Sequence, residues 1–181
     1  MTPVDRTHET VDRVLARLAR GDIGDVVVAT TTGETGVRVA QALVDQAVRV
    51  VCVTHHVGFS GGDADQLEPE YRTQLETLGA TIVTATHALS GVPRSFSKAF
   101  GGTSTAEIIA HTLRLFGQGM KVCVEIAVMA ADAGRIPTDQ DVLCIGGTGR
   151  GADTAVVLRP AHMNAFLDTR IREILCFRPG D

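Results

Sequence analysis

Apolar positions follow two rhythms along this 181-residue chain. Short β-branched runs such as Val26-Val27-Val28-Ala29 and Val50-Val51-Cys52-Val53 read as buried strands. Between them, apolar residues recur at helical spacing. Val11, Val14, Leu15 and Leu18 predict a first amphipathic helix that ends near Gly21. A strand over 25–29 then leads through threonines into a helix over 34–46, with Val37, Ala40, Val44 and Ala47 on one face. A strand over 49–54, a glycine-rich loop over 57–65, a helix over 68–78 stopped by Gly79 and a strand over 81–85 complete the first half. Strand–helix alternation of this kind marks a parallel sheet with helices on its faces.

The middle of the chain changes character. Residues 86–102 read as a long polar connection bounded by glycines. Thr103 or Ser104 then looks like an N-cap, and Glu107 would complete a capping box with Ser104 for a helix to about 116. Gly117-Gln118-Gly119 breaks the chain before a helix over 121–133 that is apolar on nearly every side and should be buried against the sheet. Strands follow at 141–145, at 155–158 and near 171–177, the first two separated by Gly146-Gly147-Thr148-Gly149-Arg150-Gly151-Ala152-Asp153-Thr154. No repeat or linker interrupts the pattern, so a single domain over 1–181 is expected.

Composition narrows the function. A hydrophobic fraction of 44% suits a globular core, and no uninterrupted apolar stretch is long enough for a membrane span. The polar start MTPVDRTHETVDRV resembles no targeting peptide, so a cytoplasmic protein is expected. A net charge of −4 and 4% aromatics argue against nucleic acid as a partner. The cysteines, Cys52, Cys123, Cys144 and Cys176, sit singly in apolar runs and read as buried free thiols.

Three loops leave the carboxyl ends of strands, where open α/β sheets bind ligands. The first, Thr30-Thr31-Thr32-Gly33-Glu34-Thr35, brings hydroxyls and free N–H groups to a helix start and suits phosphate, although Thr31 or Thr32 could serve only as a helix cap. The second carries His55, His56 and Gly58. On strand alternation at most one histidine reaches a given pocket, for stacking or hydrogen bonding, while zinc would need His87 as a third ligand. The third holds Gly146, Gly147, Thr148, Gly149, Arg150, Asp153 and Thr154, and reads either as a tight hairpin or as bare backbone against a ligand with Arg150 adding charge. It is neither a Walker A loop nor a dinucleotide fingerprint. Glu125 either pairs with Lys121 or serves as a pocket acid, and Ser90, Arg94, Ser95 and Lys98 suit either a flap over an anion or a solvated loop.

The threonine turn, the segment Val53-Thr54-His55-His56-Val57-Gly58-Phe59 and the run 122–134 together resemble a known family, as do THALSGVPRSFSKAFGG and IGGTGRGADTAVVLRPAH. The chain is similar over nearly its whole length to stand-alone proteins related to the pyruvate kinase C-terminal α/β domain. The resemblance implies a three-layer α/β/α sandwich around a mostly parallel five-stranded sheet whose last strand is antiparallel. It also implies a phosphate on Thr30, Thr31, Thr32, Gly33 and Thr35. Flavin mononucleotide (FMN) is the ligand associated with the stand-alone group, with its ring toward His55, His56 and the 146–154 loop. Pyruvate kinase activity is not expected, because 181 residues leave no room for the catalytic barrel beside this domain. Glu34 departs from an ideal phosphate turn, since a carboxylate there competes with the anion. A phosphorylated small molecule is therefore the expected partner, with a sugar-phosphate sensor or a ligand-free interaction protein as alternatives. Homo-oligomerisation is left open.

Overall fold

The computed structural model describes residues 5–179; the remaining positions of the expected domain, 1–4 and 180–181, lie outside the described residues. Six strands form one sheet: β1 (Asp25–Ala29), β2 (Arg49–Thr54), β3 (Thr81–Thr84), β4 (Val142–Gly146), β5 (Thr154–Arg159) and β6 (Arg170–Cys176). Their order is β3-β2-β1-β4-β5-β6, with β1 to β4 parallel and β5 and β6 antiparallel. The sheet thus has one strand more than the resemblance implies, and two antiparallel strands instead of one. The cause is local: residues 147–153 turn the chain straight back, so β5 pairs with β4 as a hairpin and β6 continues the meander.

Helices α1 (Thr7–Leu18), α2 (Glu34–Ala42) and α3 (Pro69–Thr77) cover one face. There Val14, Val39 and Leu75 meet Val26, Val28, Leu143 and Val157. On the other face lie α4 (Val92–Phe100), α5 (Thr105–Arg114) and α6 (Gln118–Asp132), followed by a 3₁₀ helix, Met163–Asp168. Alternate strand residues, Val27, Val51, Cys144 and Val156, pack there on Cys123, Val124, Ala127 and Ala130 of α6. The two apolar layers make the expected three-layer α/β/α architecture. As its all-round apolarity predicted, α6 is the most deeply buried helix, and α5 packs on it.

The Ser104–Glu107 capping box is present in full at the start of α5. The connection over 86–102, expected as loop, contains α4. Pro93 sits in the first turn of α4, where a missing N–H costs nothing, so it is compatible with the start of this helix. No residue of α4 is buried, and Val92, Phe96 and Phe100 form an exposed apolar stripe. No described helix is long and apolar enough to cross a membrane.

Candidate functional site

β1 is flanked by β2 on one side and by β4 on the other, so the chain reverses its direction across the sheet between β1 and β4. That reversal opens a crevice at the strand carboxyl ends. A cleft of about 740 Å³ occupies it, within the usual range for small-molecule sites. The threonine turn and the glycine loop line this cleft together because β1 pairs with β4. The two walls are bridged by Arg150, whose guanidinium lies 2.9 Å from the Glu34 carboxylate.

On the first wall, α2 begins after Gly33, whose φ of 113° only glycine adopts readily. Neither Thr31 nor Thr32 caps the helix. The Thr30 hydroxyl accepts instead from Gly36 N at 3.2 Å, and Thr30 N–H donates to Val53 O at 2.9 Å. Gly33 lets the chain curl so that Thr30 sits beneath the third helical N–H. The N–H groups of Glu34 and Thr35 are left without an intrahelical acceptor. Among the described residues, the Thr31, Thr32 and Thr35 hydroxyls have no protein partner, and all three residues line the cleft with Thr30. Gly33 itself is buried beneath them, pressed on Tyr71 and Leu67.

The glycine loop combines the two roles left open for it. It is a hairpin connection, and Asp153 holds it: the carboxylate accepts from Thr148 N–H at 3.0 Å and from the Thr154 hydroxyl at 2.7 Å. Gly146 is required by packing, because a Cβ there would lie 2.7 Å from Gly119 O of α6. Gly147, Gly149, Arg150 and Gly151 reach the cleft, whereas Gly146, Thr148, Asp153 and Thr154 are not on its wall.

His55 lines the cleft and His56 does not. Both follow the last residue of β2, so strand alternation no longer separates them, and both rings pack on His87, at 5.1 and 5.3 Å between centroids. Phe59 completes the cluster, 3.9 Å from His55. Gly58 lies in the turn that delivers Phe59 and is not on the wall. Burial pushes the His87 pKa down to about 4, and the neighbouring histidines add to the effect, so His87 is neutral at physiological pH. Among the described residues no three His, Cys, Asp or Glu side chains are arranged to hold a metal ion.

The far wall comes from α4, α5 and α6. Glu125, only 4% exposed, accepts from Leu89 N–H at 2.8 Å and is paired with Lys121 one helical turn earlier. Both residues also line the cleft, so the pairing and pocket-facing readings of Glu125 hold together. Of the four flap candidates, Ser90 and Arg94 reach the cleft, while Ser95 and Lys98 do not. Arg114 and Gln118 line it too, joined by a 2.7 Å bond from Nε to Oε1. Neither residue stood out in the sequence, where Arg114 lay near the end of one expected helix and Gln118 in the glycine break before the next; α6 starts at Gln118. The cysteines are free thiols; burial raises the pKa of Cys52 to about 12 and those of Cys123 and Cys144 well above the ordinary thiol value. No nucleophile is made from them.

No protein-family model matches the chain. Among solved structures, the chain is similar to one titled crystal structure of O-ureido-L-serine synthase, with 21% identity over 70% of this chain and a TM-score of 0.32. The chain spans 38% of that protein's length, and so loose a superposition carries no argument about fold or activity.

Proposed function

We propose that the strand-end cleft binds a phosphorylated small molecule, with the phosphate on the threonine turn and FMN as the ligand. One observation carries this reading. Among the described residues, Thr31, Thr32 and Thr35 present hydroxyls with no protein partner beside the N–H groups that open α2, whereas the Thr30 hydroxyl accepts from Gly36 N–H. Three such hydroxyls around a positive helix end suit the oxygens of a phosphate.

The rest of the cleft fits a ring system. Val53, Phe59, Ile126 and Met129 supply apolar surface, and His55 and His87 supply edges for stacking and hydrogen bonding. Glu34 no longer counts fully against an anion, since Arg150 offsets its charge. Bound FMN would supply redox chemistry; the chain's own residues hold and orient it. A sugar phosphate is the second reading, favoured by the polar lining of Thr30, Thr31, Thr32, Ser90 and Gln118.

Absorption spectra after desalting a mixture with FMN, and separately with riboflavin, test the proposal. Retention of FMN but not of riboflavin is expected, because riboflavin lacks the phosphate. Equal retention of both would remove the turn from the account, and retention of neither would remove flavin. A thermal shift with phosphosugars in that last case would favour the second reading.

A further inference from the structure

The wall opposite the threonine turn has its own charge pattern. Arg94 in the first turn of α4, Arg114 at the end of α5 and Lys121 in the first turns of α6 line the same cleft. One carboxylate, Glu125, stands among them, and it is committed to Lys121 and to Leu89 N–H. Among the described residues Arg94 and Arg114 have no carboxylate partner; Arg114 bonds only to the neutral Gln118. The turn side is different, since Arg150 there is paired with Glu34 and Glu68 adds a further negative charge. A protein of net charge −4 thus carries on this cleft two guanidinium groups that, among the described residues, have no carboxylate partner and both act on Lys121. The three cations feel one another: Lys121 is held below the ordinary lysine value chiefly by burial, against its pairing with Glu125, and further by Arg114 and Arg94. Core packing does not require the two guanidinium groups here, because Arg94 is exposed and Arg114 is only half-buried. Like charges brought together cost stability unless an anion joins them.

We infer that Arg94, Arg114 and Lys121 form a second oxyanion subsite, separate from the threonine turn, which takes a carboxylate or phosphoryl group. Planar guanidinium groups suit either by paired N–H donation. That one molecule spans both subsites, and so carries anionic groups at both ends, rests on the phosphate reading above. The subsite itself does not.

Titration of ¹⁵N-labelled protein with inorganic phosphate, and separately with acetate, at constant ionic strength separates the two. The Nε–H signals of Arg94 and Arg114 report the new subsite, and the backbone N–H signals of Glu34 and Thr35 report the turn. Saturable shifts at both arginines are expected, with the apparent Kd raised about tenfold in Arg114→Gln. A response to acetate as well marks a general oxyanion subsite; a response to phosphate alone narrows it to phosphoryl groups. Shifts at the arginines without shifts at the turn would keep this inference and remove the phosphate turn. Shifts at the turn alone would overturn this inference and leave the turn standing. No saturable shift anywhere would overturn both.

Discussion

Replacing Gly33 by alanine probes how the threonine turn is held. Two independent costs act there. The φ of 113° is strained for any residue with a Cβ, about 1–3 kcal/mol. The added Cβ would also overlap Tyr71 Cβ and come within 2.9 Å of Leu67 Cδ1, so that α3 must shift or side chains leave their rotamers, a further ~1–3 kcal/mol. The two together give about 4 kcal/mol, which for a chain of this length lowers Tm by about 8–16 °C. Gly61→Ala is the matched control. Its φ is 105°, yet nothing lies within 4 Å of the new Cβ, so it carries the conformational cost alone. Loss of unfolded-state freedom on Gly→Ala is common to both and cancels. Calorimetric melting of the wild type and both variants at one pH measures the difference, expected at ~1–3 kcal/mol in favour of Gly61→Ala. Equal melting temperatures would show that α3 does not press on the turn, and the account of its geometry would fail.

Other expectations follow from the same contacts. Lys121→Met leaves the Glu125 carboxylate buried without its cation and should cost about 3–5 kcal/mol in urea unfolding. The double variant Lys121→Met/Glu125→Gln should recover part of that loss, because glutamine still accepts from Leu89 N–H; no recovery would mean that the pair is not the cause. His87, neutral in the fold down to about pH 4 but protonated near 6.5 when unfolded, makes stability fall as pH drops from 6.5 toward 4. His87→Phe should flatten that part of the pH–stability curve, and an unchanged slope would count against its burial as the cause. Asp153→Ala removes the acceptor for Thr148 N–H and the Thr154 hydroxyl, costing about 2–4 kcal/mol, and should speed amide exchange at Thr148.

The sheet and its covering helices were legible because burial on both faces leaves unbroken apolar runs, as at Val26-Val27-Val28 and Leu143-Cys144-Ile145. The Ser104–Glu107 cap was legible because it is encoded within four residues. What the sequence hid depends on distant neighbours. Gly146 reads as part of a tight hairpin or of backbone bared to a ligand, yet its small size serves the approach of Gly119 from α6. Helix α4 escaped notice because it buries nothing, so its apolar positions had no core to mark, and its polar residues between glycines read as a connection. Thr30, Thr31, Thr32 and Thr35 were visible as a cluster, but which of them caps α2 depends on the curl at Gly33. Arg114 and Gln118 join the site only because α5 packs on α6 beside the cleft, which local pattern does not encode.

In the proposed function, the Thr31, Thr32 and Thr35 hydroxyls, unpartnered among the described residues, cradle the phosphate. Thr32 is exposed and its hydroxyl has no protein partner among the described residues, so Thr32→Ala should change stability by less than about 0.5 kcal/mol while removing one hydrogen bond to a charged group. Isothermal titration with FMN on the wild type and on Thr32→Ala measures this directly. The account predicts binding weakened about tenfold in the variant at unchanged Tm. The same affinity in both proteins, or no heat of binding in either, would contradict it.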